Sequence, residues 1–446
     1  MFLVSKGKNV GRSAARAARY LQVLGLAVAC LAGLSGLDAK AEGCGYKPKT
    51  GPPYMNRFRF NPQNGAAPGP LLTVVALGDS VVWGDGDKPE HRIVTIIGQE
   101  LANKRGRRVE VHSYAHSGAK LGPPSGGPIS SPSSYPHPHR TPMGDVDSAL
   151  PTTNEQVDCA AVDDSDAEIV MLDGCINEVG ATNIALPHIF PDQETPDQIR
   201  TAVLSSCAAN MKGLLEGIKA EFKRAQVVVL NYYRVVSSDS TPKPLVSDAD
   251  REKAELADKE RLKKLGSLAK KKLGSKATPQ DIENQTQTWQ ENSAVFLLDS
   301  TSCFNWAIAA VNTGVSNPLP PSAPPYDPLH PVGVCPPPLA PSPPNSRVVL
   351  AVLPDNPDYS YGTPQAQTHL WLLPTLFSQD EMYWTRAWEC VTHLCRHDTD
   401  CFVNALAHPN IKGAQCYSKV ILGAIDGLQP TWDPDCQPPP TAAAAK

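Results

Sequence analysis

Apolar residues along the chain fall into short β-branched runs separated by stretches with helical spacing, and the two periods alternate. Residues 71–77 (LLTVVAL) are almost continuously apolar, as in a strand buried on both faces of a parallel sheet. The period then changes, and between Pro89 and Arg105 the residues Ile93, Ile96, Ile97 and Leu101 form one helical stripe. Residues 108–114 alternate like a second strand, and 168–172 (EIVML) read as a third. A long amphipathic helix follows, marked by Ile199, Val203, Cys207, Met211, Leu214, Leu215, Ile218 and Phe222. Residues 226–230 (QVVVL) and 347–353 (RVVLAVL) give strands four and five. Strands alternating with helices in this order predict an α/β sandwich of three layers, a central and mostly parallel sheet of about five strands with helices on both faces.

At 446 residues the chain is longer than that architecture needs, and three insertions account for the excess. Residues 119–166 are rich in Gly, Pro and Ser and read as a long loop, in which His137 and His139 belong to an exposed Pro-His stretch. Residues 240–275 are dense in Lys, Glu and Asp at helical spacing, the pattern of a solvated helix protruding from the core. Residues 317–344 hold so many of the 44 prolines that neither a helix nor a central strand can form there. The expected order is an N-terminal extension at 42–69, one domain at 70–430 and a low-complexity tail at 431–446.

The first 41 residues read as an address. Lys6, Lys8, Arg12, Arg16 and Arg19 precede an apolar run from Leu21 to Leu37, and Ala39-Lys40-Ala41 supplies a small-x-small cleavage site. This is the pattern of a secretory signal peptide, which predicts a periplasmic or extracellular mature chain. Losing Cys30 with the leader leaves eleven cysteines, for which an oxidising compartment makes disulfides the default. The cluster Cys390, His393, Cys395, His397, Cys401 has zinc-ligand chemistry but lacks paired CxxC arms, so cross-linking is the preferred reading and no metal is expected. A net charge of -4 argues against nucleic acid as a partner, because phosphate binding needs concentrated Lys and Arg.

Candidate chemistry stands where the first strand ends. Residues 78–84 (GDSVVWG) set Ser80 directly after a buried strand and before a helix, at the sheet edge where open α/β sheets bind ligands. A Ser in that place is commonly a helix cap. The motif resembles the first block of the SGNH (GDSL-type) hydrolases, and two more blocks follow in the order of that family: residues 116–119 (HSGA) after the second strand and 174–178 (GCINE) after the third, with Glu178 where the family has Asp.

The resemblance implies a secreted esterase or lipase-like acyl hydrolase on an SGNH-like fold, with Ser80 as nucleophile and no cofactor. It implies an oxyanion hole made from the N–H groups of Ser80 and Gly118 and the side-chain amide of Asn177. The substrate class it implies is a small-molecule, lipid or acylated-sugar ester, with peripheral contact to lipid where the ester is one. Trp83, Trp371 and Trp384 are candidates to line an acyl or sugar site, or else to fill the core.

For the general base two histidines compete. His408 opens residues 408–417, which resemble the family's last block and follow the fifth strand, but the acid expected three residues earlier is Ala405. Asp327 and His330 keep the DxxH spacing yet lie in the Pro-rich connection before the fifth strand. Delivery to the sheet edge decides whether a base reaches Ser80, so His408 is preferred and Asp327/His330 is the alternative. Asp398, Asp400 or a backbone carbonyl would then orient His408, as a triad with a displaced acid or as a dyad. The rival reading is a weak or inactive SGNH-fold protein that binds carbohydrate or a surface, which the loss of the acid at 405 would permit.

Overall fold

A computed structural model describes residues 55–63, 69–122, 152–185, 194–237, 279–340 and 345–361, with shorter stretches at 368–371, 380–385, 405 and 407–427 and a few single positions. The chain divides into residues 1–41 and 42–446, and the whole of the first part lies outside the described residues, as do the charged insertion at 240–275 apart from Ser240, the Cys/His cluster and His137 and His139.

Six strands form one sheet in the order β1-β3-β2-β4-β5-β6. They are β1 (Asn56–Phe60), β2 (Gly69–Leu77), β3 (Arg107–Ser113), β4 (Ile169–Leu172), β5 (Gln226–Leu230) and β6 (Val348–Ala351). All neighbours are parallel except β1, which pairs antiparallel with β3 (Phe58 opposite Val111). The helices that matter for the site are α1 (Ser80–Trp83), α2 (Ile93–Arg105), α3 (Thr153–Asp164), α4 (Ile176–Val179), α5 (Ala181–Ala185), α6 (Pro196–Ala202), α7 (Ala209–Glu221), α8 (Pro279–Thr313) and α9 (Ile411–Ile425). The chain crosses from β2 to β3 in one direction and then returns past β2 to β4, β5 and β6. Right-handed crossovers therefore put α2 on one face and α3, α7 and α8 on the other. After β6 the chain comes back as α9 beside α2. Reversal of direction opens a crevice at the carboxyl ends of β2 and β4, where ligands bind in such sheets.

The core is formed by the runs that alternate along the sequence: Val74–Leu77 in β2, all of β4, and Val227–Leu230 are buried. Four features differ from the expected pattern. Residues 56–60, taken as extension, are an edge strand; Arg57 and Arg59 bridge to Glu110 on one face while Phe58 and Phe60 pack on the core, a half-solvated pattern that carries no long apolar run. Within the expected loop 119–166, residues 153–164 are helical, started by a capping box between Thr152 and Glu155. Arg92 is extended (φ -69°, ψ 147°), so the expected helix from Pro89 begins as a short 3-10 turn and restarts at Ile93. The long amphipathic helix is continuous but passes through a π-helical stretch, Val203–Ala208, between α6 and α7.

The helix α8 supplies the crossover that joins two parallel strands, and burial of Phe296, Cys303, Phe304, Ala307 and Val311 makes it a core element. Against it lies the Pro-rich connection, without helix or strand among its described residues. Buried Arg200 and Asp299, 3.4 Å apart, reach the carbonyl of Val332 (2.8 Å) and the N–H of Val334 (2.9 Å), and the Cys303–Cys335 disulfide fixes the same segment to α8.

Candidate active site

The turn after β2 is held from below by side chains that leave its own atoms little freedom. Gly78 has φ +127°, and a Cβ there would lie 1.9 Å from the Asp173 carboxylate, so no other residue fits. The Gln156 amide brackets this glycine, accepting from its N–H (2.7 Å) and donating to its carbonyl (3.0 Å). Asp79 caps α1 by accepting the Val81 N–H (2.9 Å) and also accepts the Tyr232 hydroxyl (2.7 Å). Asp173, next to Gly174 at the end of β4, accepts the N–H groups of Asp79 (2.8 Å) and Val82 (3.2 Å). Burial, and then the adjoining Asp79, hold the Asp173 carboxyl well above the ordinary carboxylate range.

Ser80 stands at the first position of α1, 4 % exposed, with its Oγ 2.5 Å from Nε2 of His408. That imidazole comes from the loop between the last strand and α9, and the stretch 368–371 braces the loop. Trp371 donates its N–H to the His408 carbonyl (2.8 Å) and accepts that of Ala407 (3.1 Å), while Asn410 donates to the His369 carbonyl (2.8 Å). Asn410 also caps α9 through the Gly413 N–H (3.1 Å). Ala407 adopts φ +63°, and the Tyr233 hydroxyl holds its carbonyl at 3.3 Å. His330 and Asp327 instead pair with each other at 3.0 Å on the exposed Pro-rich connection. Asp398 and Asp400 lie outside the described residues.

The loop with Gly118 is tied to the serine turn by the two residues before the glycine. His116 donates its N–H to the Gly78 carbonyl (3.2 Å), and the Ser117 hydroxyl reaches the buried Asp85 (2.8 Å). Gly118 itself is half-buried at φ +79°. Asn177 on α4 donates one of its two amide protons to the Ala119 carbonyl (2.9 Å). Its neighbour Glu178 accepts the Leu121 N–H, which explains a use for the longer carboxylate where the resemblance has Asp. Burial pushes the Glu178 carboxyl up to about 7.

Several of these supports were not read from the sequence: Gln156, Asp173, Tyr232, Tyr233 and the buried Asp87. A charged residue directly after the apolar strand IVML was the available signal for Asp173. Asp87 follows Gly86, where a Cβ would be 2.5 Å from the Trp371 indole and 3.0 Å from the Ala405 methyl, so this loop closes on the segment that carries His408. Neither Asp87 oxygen has a hydrogen bond among the described residues. Desolvation, reinforced by Glu381 and Asp380, raises it to about 9, against the pull of Arg92 and of the Trp371 indole N–H, which does not reach hydrogen-bond geometry. Of the three candidate tryptophans, Trp83 and Trp371 are buried, with Arg92 stacked 4.1 Å over the Trp83 ring, and Trp384 is 70 % exposed.

Three disulfides lie among the described residues, Cys175–Cys207, Cys303–Cys335 and Cys416–Cys436.

No family model matches the chain, and no curated protein matches it. Among solved structures it is similar to a family 2 carbohydrate esterase with a carbohydrate-binding domain from Corynascus thermopiles (Myceliophthora fergusii), at 18% identity and TM-score 0.23 over 46% of this chain and 56% of that one. It is also similar to an extracellular lipase from Streptomyces rimosus (15% identity, TM-score 0.26, 50% of this chain and 77% of that one). A third is phospholipase A1 from Streptomyces albidoflavus (17% identity, TM-score 0.25, 46% and 75%). The chain thus spans little more than half the length of the first of these.

Proposed function

We propose that this chain is an exported serine ester hydrolase in which Ser80 is the nucleophile and His408 the general base. The observation that carries the reading is the 2.5 Å separation of Ser80 Oγ and His408 Nε2, two atoms that belong to residues 328 positions apart. His408 takes the Ser80 proton as Oγ attacks the ester carbonyl, and the resulting imidazolium returns that proton to the leaving alcohol. Water then attacks the acyl-enzyme, with the same imidazole as base. The negative oxygen of each tetrahedral intermediate receives the N–H groups of Ser80 and Gly118 and the free amide proton of Asn177, each worth roughly 3 kcal/mol of barrier. Protein dipoles meet all the developing charge, so the reaction calls on no cofactor.

The substrate we assign is an ester of small-molecule, lipid or acylated-sugar type, with lipid contacted peripherally. Export rests on the 41-residue leader and on the three disulfides. The rival reading, a binding protein that has lost catalysis, draws on Ala405 standing where the resemblance expects the acid.

Hydrolysis of short-chain nitrophenyl esters by the purified chain separates the two. Turnover that Ser80→Ala abolishes, together with stoichiometric labelling of Ser80 by a fluorophosphonate located by peptide mass spectrometry, supports the hydrolase. Absence of both turnover and labelling across a panel of acyl lengths and acetylated sugars leaves the binding protein.

A further inference from the structure

The link from β4 to the short helix α4 passes through two residues with positive φ, Gly174 at +151° and Cys175 at +110°. For glycine this is unremarkable. For Cys175, with ψ -36° and no side-chain capping bond, it is a conformation that L-residues adopt only where the surroundings impose it. The carbonyl of Cys175 begins α4 by accepting the N–H groups of Glu178 (3.1 Å) and Val179 (3.3 Å). The direction of the Cys175 peptide therefore sets where Asn177, two residues on, delivers its amide. At the other end of the covalent bond, Cys207 lies in the π-helical stretch Val203–Ala208, an irregularity of the kind that clusters at functional sites. Two backbone departures, 32 positions apart, are thus joined by one disulfide.

We infer that the Cys175–Cys207 disulfide is a positioning element for catalysis: it holds Cys175 in its strained conformation and so keeps Asn177 aimed at the oxyanion. The inference rests on Asn177 being an oxyanion donor, as proposed above. A donor displaced by about 1 Å loses up to a hundredfold in rate, so removal of the bond acts on kcat and leaves KM nearly unchanged.

The molecule carries its own control. Cys303–Cys335 also spans 32 positions, so the chain-entropy effect of removing either bridge on stability is the same. We would compare C175A/C207A with C303A/C335A on a nitrophenyl ester, well below the Tm of each variant, recording kcat and KM separately. The expected result is a ten- to hundredfold fall in kcat for C175A/C207A alone, with KM within twofold. Glycine tolerates φ +110° without a covalent restraint, so C175G/C207A should recover most of the lost kcat. If the bond acts through Asn177, adding Asn177→Ala to C175A/C207A slows the enzyme no further than Asn177→Ala does by itself. Equal kcat in both disulfide variants, with Asn177→Ala slow, would overturn the positioning role and leave the oxyanion assignment standing. An unchanged kcat for Asn177→Ala would overturn both. Should C175A/C207A fail to fold, C175S/C207S takes its place and is read in the same way: a tenfold or larger fall in kcat with KM within twofold upholds the inference, and kcat near wild type overturns it.

Discussion

Asp87→Asn should make the protein more stable at neutral and alkaline pH and change little in acid. The carboxyl of Asp87 is fully buried, has no hydrogen bond to either oxygen among the described residues, and is raised from 3.8 to about 9 by desolvation and the nearby Glu381. A group whose folded pKa exceeds its unfolded one contributes stability that is complete below the unfolded value and disappears as pH rises through the folded value. For Asp87 that window runs from about 4 to about 9. Within it the wild type loses ~1.4 kcal/mol per pH unit to this one group. By pH 7 the accumulated loss is about 4 kcal/mol. Asparagine keeps the shape and never ionises, so it escapes the loss. Urea unfolding of wild type and D87N with disulfides intact, at pH 4.5 and pH 7.5, reads the effect as a difference in midpoint that widens with pH. A difference that is the same at both pH values would refute the reasoning, because it would mean that Asp87 finds a charged partner or water on folding.

Glu178→Gln should behave in the same direction over a narrower range: its carboxyl lies at about 7, so the gain over wild type grows from about pH 4.5, levels off near pH 7 and amounts to about 3 kcal/mol, measured by the same unfolding series. His408→Ala should lower kcat by at least about a thousandfold while His330→Ala, on the exposed connection, leaves it within twofold; steady-state kinetics on one ester distinguishes them, and the opposite pattern would move the base to His330. Asn177→Ala should cost about a hundredfold or more in kcat with KM little changed. Gly78→Ala should yield no active protein, since its methyl would meet the Asp173 carboxylate and the backbone would be strained at φ +127°, a result checked by circular dichroism beside activity.

What the sequence revealed was whatever depends on a local run of residues. The strands β2, β4, β5 and β6 hold apolar runs of four or more, β3 alternates, and the crossovers between them leave few topologies open. Ser80 was legible because GDS follows such a run directly. The edge strand β1 was not, since NRFRF spends alternate positions on Arg, and only its pairing with β3 shows which side chains turn inward. The choice between His408 and His330 shows the same limit in the site. Spacing favoured the pair Asp327 and His330, which do meet, but on the surface. Position relative to the last strand favoured His408, and the sheet edge is what brings an imidazole to Ser80. Burial of charge is a tertiary property, which is why Asp87 had no signature beyond its place beside Gly86 and Asp173 none beyond its place directly after an apolar strand.

On the proposed reading, the acids beneath Ser80 answer to what the reaction must avoid. A tetrahedral intermediate adds a negative charge near Ser80, and Asp79 and Asp173 lie within the same turn. Two ionised carboxylates there would oppose that charge in a poorly solvated place, where repulsion is strong. Two features lessen it. Burial and the adjoining Asp79 keep the proton on Asp173, so that carboxyl adds no charge of its own. Asp79 turns its own oxygens toward donors, the Val81 N–H and the Tyr232 hydroxyl, on the inner side of the turn. The same carboxyls still supply the acceptors that the N–H groups of Asp79, Val81 and Val82 need. A rigid serine turn is thereby obtained from acidic side chains with little electrostatic opposition to an oxyanion, and apolar replacements would leave those three N–H groups unpaired.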